Sequence, residues 1–174
     1  HIVVVQDMAS RYPSAKLVPS TSAKNVLPAL GNIYDTYGNP AEQLSDNGPP
    51  FNSSAMQSFA EKRGIKLEKI PPLHPSANPV ESFMRPLGKT MKISHHNKAG
   101  ENESLNTLLR NYRDTPHPAT GLPPAAMLFR DSVNGEFPRK AIGYEDVTAA
   151  RLRDKSQKQE YESRKNQKKY KPTT

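Results

Sequence analysis

Residues 44–89 read LSDNGPPFNSSAMQSFAEKRGIKLEKIPPLHPSANPVESFMRPLGK, and the order of elements in this stretch decides the fold class. Glu42 to Ser45 predicts a short strand running into Asp46, after which Asn47-Gly48-Pro49-Pro50 turns the chain. Ser54-Ala55-Met56-Gln57 has the form of a capping box, opening a helix through Met56, Phe59 and Ala60 that Gly64 closes. Ile65 to Ile70 alternates apolar and polar residues, the pattern of a strand with one wet face. Asn78-Pro79-Val80-Glu81 then begins a second helix, with Asn78 as N-cap, Pro79 at the first helical position and Glu81 third. Val80, Phe83, Met84, Leu87 and Met91 form its apolar stripe, and Pro86 predicts a kink between Ser82 and Pro86.

Working outward, Ile2 to Val5 is a β-branched run fit for a buried strand, and Ala15 to Val18 reads as its antiparallel partner. From Ser22 the period becomes helical, with Val26, Leu27, Leu30, Ile33, Tyr34 and Tyr37 on one side. Gly38 supplies a left-handed cap and Pro40 stops continuation, while Pro28 inside predicts a kink or a late start. Leu105, Leu108, Leu109 and Tyr112 mark a further amphipathic helix, His117 to Pro124 a loop, and Ala125 to Phe129 a short apolar helix. The order is that of an α/β domain over residues 1–130. Asp131 to Glu145 is linker-like, and Val147 to Tyr170 is polar all round, which predicts a solvated helix or a disordered tail over the region 131–174.

The net charge of +8 favours a polyanionic partner, but it is unevenly placed. From Arg151 onward nine Lys or Arg stand against three acids, so +6 of the charge sits in the last 24 residues. There is no cysteine, which excludes disulfides and cysteine-ligated zinc in this chain. No apolar run approaches the roughly 18 residues of a membrane span, and the first residues are not a signal peptide. His1-Ile2-Val3-Val4-Val5 opens inside a strand, so we expect a piece of a longer chain. Seventeen prolines, about twice the usual ~5% share, cluster at element ends and act as punctuation.

Asp46 at a strand end and Glu81 in the first turn of a helix are the acids that matter. Two-metal phosphoryl transfer needs carboxylates that hold divalent ions ~3.5–4 Å apart. Mg²⁺ suits such ligands because it takes hard oxygen donors and keeps exchangeable waters. Taken alone, each acid has an ordinary explanation: Asp46-Asn47-Gly48 is turn chemistry, and Glu81 completes a capping box with Asn78.

The wording of the whole segment changes that balance. SDNGPPF, HPSANPVESFMRPLGK and LLRNYRDTPHPATGLPPAAMLF, in this order, resemble the integrase catalytic core of retroviruses and Gypsy-type LTR retrotransposons. The resemblance covers residues 1–130. It implies an RNase H-like mixed sheet flanked by helices, Mg²⁺ or Mn²⁺, nuclear action as a homo-oligomer, and transfer of DNA 3′ ends into a target duplex. By resemblance Asp46 matches the second acid of the family's D,D-35-E triad and Glu81 the third.

Two departures follow. Between Asp46 and Glu81 lie 34 residues where the family signature has 35, which predicts a tightened loop near Ala77 to Val80. The phrase around Asp7, VVVQDMASRY, resembles the family's second strand, while the first acid belongs to the strand before it. We therefore expect the first strand and its acid upstream of His1, with Asp7 a poor substitute facing away from the site.

Arg85 and Lys89, four and eight positions after Glu81, share its helix face and are candidate phosphate contacts, the alternative being a Glu81–Arg85 surface pair. Asn47 and Gly48 shape the backbone of the site, with Asn47 a candidate DNA contact, and His74 is a candidate lining residue. His95-His96 lacks partner ligands for a metal. The basic C-terminal segment is expected either to grip DNA through counterion release or to act as a solubilising tail. The leading expectation is a DNA-joining integrase core. Its rivals are a non-catalytic integrase-derived module for nucleic-acid binding or protein association, and a related RNase H-like nuclease.

Overall fold

The computed structural model describes residues 1–70, 80–129 and 143–169. The expected cap at Asn78-Pro79, the candidate His74 and most of the expected linker, residues 131–142, lie outside them. The elements follow the order β1 (Ile2–Gln6), β2 (Pro13–Leu17), α1 (Ala23–Tyr37), β3 (Glu42–Ser45), α2 (Ser54–Arg63), β4 (Lys66–Lys69), α3 (Val80–His96), α4 (Glu101–Asp114), α5 (Pro124–Phe129) and α6 (Tyr144–Lys169). The architecture is mixed α/β, with small sheets flanked by helices. β1 and β2 pair antiparallel with Val4 opposite Ala15, and β3 and β4 pair parallel with Ser45 opposite Lys69. The parallel pair is made possible by α2, which supplies the crossover that parallel strands require.

The chain divides into two compact units. The first holds His1–Gln6 and Pro13–Leu109. Its core joins Val3, Val18, Val26, Leu30, Ile33, Tyr34, Met56, Ala60 and Ile65, with Phe51, Phe59 and Leu67 packed against them. These are the apolar stripes of α1 and α2 closing on the inner sides of the strands. In α3, Phe83 and Leu87 are buried one turn apart, and the helix runs through Pro86 as one element. Tyr34 donates its hydroxyl to Gln43 Oε1 at 2.6 Å. Burial pushes its phenol up to about 12, against the opposing pull of the Arg63 charge.

Two helix ends differ from the sequence reading. The N-cap of α2 is Ser53, whose side chain accepts from the Met56 N–H, so the cap lies one residue before the expected capping box. Two adjacent serines offer the same hydroxyl, and the turn leading in selects between them. Gly38 ends α1 at φ +92 and ψ 156, a positive-φ conformation outside the left-handed helical region, whereas Gly64 is left-handed as expected (φ +67, ψ 30).

The second unit takes the hairpin turn Asp7–Tyr12 and the described residues from Arg110 onward. Arg11 is its key residue. Its side chain, 5% exposed, reaches both carboxylate oxygens of Asp154 on α6 at 2.7 Å. Tyr12 lies edge-on to Phe129 and under the Arg113 guanidinium, 4.4 Å from its ring centre. Val147 and Ala150 of α6 are buried against Met127, with Leu122 alongside. The expectation of a helix polar all round is thus corrected for its first three turns. Val147, Ala150 and Asp154 recur at i, i+3 and i+7, a narrow docking stripe that two small apolar residues and one acid do not reveal as such. Burial pushes the Asp154 carboxyl up, but hydrogen bonds and charge from Arg11 and Lys158 outweigh it and hold it below its ordinary value.

Candidate active site

In the first unit, β3 and β4 run side by side and end together: the Ile70 N–H bonds the Ser45 carbonyl at 3.0 Å. Asp46 is the next residue beyond that edge. Space beyond the carboxyl ends of parallel strands is where open α/β sheets place their ligands. The loop after Asp46 is a series of tight turns. Asp46 Oδ1 accepts the Gly48 N–H at 3.1 Å, the Gly48 carbonyl accepts from Phe51, and Pro50 accepts from Ser53. A Cβ on Gly48 would stand 3.2 Å from Asp46 Oδ1, so glycine allows the close approach that holds this carboxylate in place. Lys69, at the end of β4, donates to Asn52 Oδ1 at 2.6 Å and ties the loop to the strand. Sequence reading missed this tie, because it depends on the parallel register.

Asp46 and Asn47 are exposed, and so are Glu81, Arg85 and Lys89. Glu81 lies in the first turn of α3, where a carboxylate also favours the positive end of the helix dipole. Arg85 and Lys89 follow at whole-turn spacing, on the side of the helix away from buried Phe83 and Leu87. Glu81 and Arg85 form no ion pair among the described residues, so the surface-pair alternative is not realised. Lys92 and His96 are also exposed and continue the same face; the helical period points to both, and the sequence reading stopped one step short of them.

Asp7 belongs to the second unit, while Asp46 and Glu81 belong to the first. Its Oδ2 accepts from the Ser10 N–H at 2.7 Å and from the Ser10 hydroxyl at 2.6 Å, which makes it the organiser of the hairpin turn. Among the described residues no group of three or more His, Cys, Asp or Glu comes together to hold a metal ion. Asp46 and Glu81 each carry hard carboxylate oxygens of the kind that Mg²⁺ or Mn²⁺ takes. Among the described residues no helix is long and apolar enough to cross a membrane.

These elements build the fold of an integrase catalytic core. The crystal structure of the catalytic core domain of BIV integrase matches this chain with a TM-score of 0.62 and 21% identity, over 74% of this chain and 84% of that one. No family model matches the chain, and no curated protein does either.

Proposed function

We propose that this chain is the catalytic core of a DNA-joining enzyme of the retroviral and Gypsy-type retrotransposon kind, transferring DNA 3′ ends to a target duplex. The observation that carries the proposal is the position of Asp46 just beyond the paired ends of β3 and β4, on a fold shared with an integrase core. Asp46 and Glu81 are the proposed ligands, with Mg²⁺ or Mn²⁺ supplying, when bound, the charge that clamps attacking and leaving oxygens. Gly48 holds the Asp46 carboxylate through its N–H, and the loop tie from Lys69 to Asn52 keeps that arrangement rigid. Arg85 and Lys89 bind backbone phosphates of the DNA end, and Asn47 contacts DNA at the strand edge. The reaction takes place on nuclear DNA, with the core acting as a homo-oligomer. A complete three-acid site requires one more carboxylate, a role for which Asp7, engaged by Ser10, is unsuited.

Metal binding and joining test the proposal separately. Mn²⁺ is expected to broaden NMR signals around Asp46 and Glu81, and Asp46→Asn and Glu81→Gln each weaken that effect about tenfold or more, as loss of a charged ligand does. Broadening indifferent to both substitutions defeats the metal assignment. Strand transfer on a labelled duplex is expected to be slight for this chain with Mn²⁺ and abolished by Asp46→Asn; joining that survives Asp46→Asn removes Asp46 from the chemistry.

The Asx-type turn at Asp46 favours a second reading, since it gives this acid a structural role that persists without chemistry. In that reading the chain is an integrase-derived nucleic-acid-binding or protein-interaction module. It predicts DNA or protein binding with no Mn²⁺ effect at Asp46.

A further inference from the structure

α6 starts as a docked helix and continues as an exposed one. Val147 and Ala150 are buried and Asp154 is bridged to Arg11, whereas every described side chain from Lys155 to Arg164 is exposed. Beside the docked stripe stand Arg151, Lys155 and Lys158, at i, i+4 and i+7, all exposed. That spacing places them on one face over about 10 Å of helix. Lys158 also contacts Asp154 at 3.0 Å, yet its side chain remains 53% exposed. Of the described acids, Glu145, Asp146 and Glu160 lie off this face, Glu162 lies on it one turn beyond Lys158, and Arg153 stands on the far side.

We infer that α6 is a nucleic-acid interface, in which Arg151, Lys155 and Lys158 bind the phosphate backbone of a duplex. The inference takes the DNA partner of the proposed function to a second surface and stands without its metal chemistry. The docking stripe explains why a polar helix serves here. Arg11 and Asp154, with Val147 and Ala150, hold the first turns to the second unit, so the cations stand on a fixed support and lose less freedom on binding. The helix lacks what membrane attachment needs: the large apolar residues exposed on it, Leu152 and Tyr161, stand singly on different sides, and Ser156, Gln159 and Ser163 are polar, so no continuous apolar face opposes the basic one. Binding through phosphates is independent of base sequence and strongly dependent on salt.

The test is fluorescence anisotropy of a labelled 20-base-pair DNA duplex with the full chain in EDTA, over a salt series. Working without metal separates this outcome from that of the Asp46 and Glu81 assignment. The triple variant Arg151→Gln/Lys155→Gln/Lys158→Gln is expected to bind at least about tenfold more weakly, and the slope of log affinity against log salt to flatten by about two to three. The charge-retaining variant Arg151→Lys/Lys155→Arg/Lys158→Arg is expected to bind as the parent does, which separates lost charge from a damaged helix. Parent-like affinity and slope in the triple variant overturn the inference, as does loss of binding in the charge-retaining one. Poly-glutamate that competes as well as duplex DNA at equal charge overturns the assignment to nucleic acid.

Discussion

Arg11 in the β1–β2 turn and Asp154 on α6 are 143 residues apart in sequence and joined by two contacts of 2.7 Å between Arg11 Nη2 and the two carboxylate oxygens. The side chains are 5% and 13% exposed, so either group left alone is a charge shielded from water. Removing one partner of such a pair typically costs about 3–5 kcal/mol, more than replacing both with apolar groups. Asp154→Ala is therefore expected to destabilise the second unit by about 3 kcal/mol. Arg11→Met with Asp154→Leu is expected to cost less than the single change. Urea denaturation of the parent, Arg11→Met, Asp154→Leu and the double variant measures the coupling; additive single effects defeat it.

The same cluster sets two windows of acid sensitivity. Burial first, and then the Arg11 charge, push the His117 imidazole below its ordinary 6.5, with Asp154 pulling the other way. The unfolded chain then binds a proton that the folded one refuses. Stability from this source is complete above about pH 6.5 and falls as pH drops from there toward the folded value. Asp154 acts lower down. Its pKa is depressed in the folded state, so its contribution is present above 3.8 and lost as pH falls through the folded value. His117→Gln is expected to flatten the upper window only, followed by thermal unfolding between pH 4 and 8. An unchanged upper window removes His117 as its source.

Neighbours on α3 separate burial from exposure cleanly. Phe83 is fully buried while Met84 is 47% exposed. Phe83→Ala is expected to cost about 3–5 kcal/mol through lost transfer energy and the cavity left behind. Met84→Ala should stay within about 0.5 kcal/mol, as surface changes do. Equal costs in denaturant titration mean that α3 does not pack as described.

The α2 cap gives an equally local contrast. Ser53→Ala removes the hydroxyl that accepts from Met56 and is expected to cost about 1 kcal/mol. Ser54→Ala replaces an exposed residue at the first helical position and should be close to neutral. The reverse order of costs returns the cap to Ser54.

Much of this fold was legible in the chain because it rests on local chemistry. The β-branched run at Ile2 to Val5, the stripe from Val26 to Tyr37 and the glycine at position 64 follow from side-chain period and backbone sterics. Those act between residues a few positions apart. The α2 cap was legible to within a residue, since Ser53 and Ser54 carry the same hydroxyl and only the approach of the preceding turn chooses. Of the candidate site, the sequence marked Asp46 and Glu81 by their surrounding phrases, while the Lys69–Asn52 tie was not legible in it.

What the sequence by itself determined is the set of elements and the residues able to do chemistry, because periodicity and residue type are properties of short stretches. Only the tertiary structure decided that β3 and β4 run parallel and end together beside Asp46, that Asp7 serves a turn, and that α6 begins as a docked helix. Apart from the Asp7 turn, whose partner Ser10 is three residues away, each of these depends on a partner distant in sequence. The partners are Lys69 for Ser45, Met127 for Val147, and Arg11 for Asp154, and no local pattern encodes which distant group closes a hydrogen bond or fills a contact.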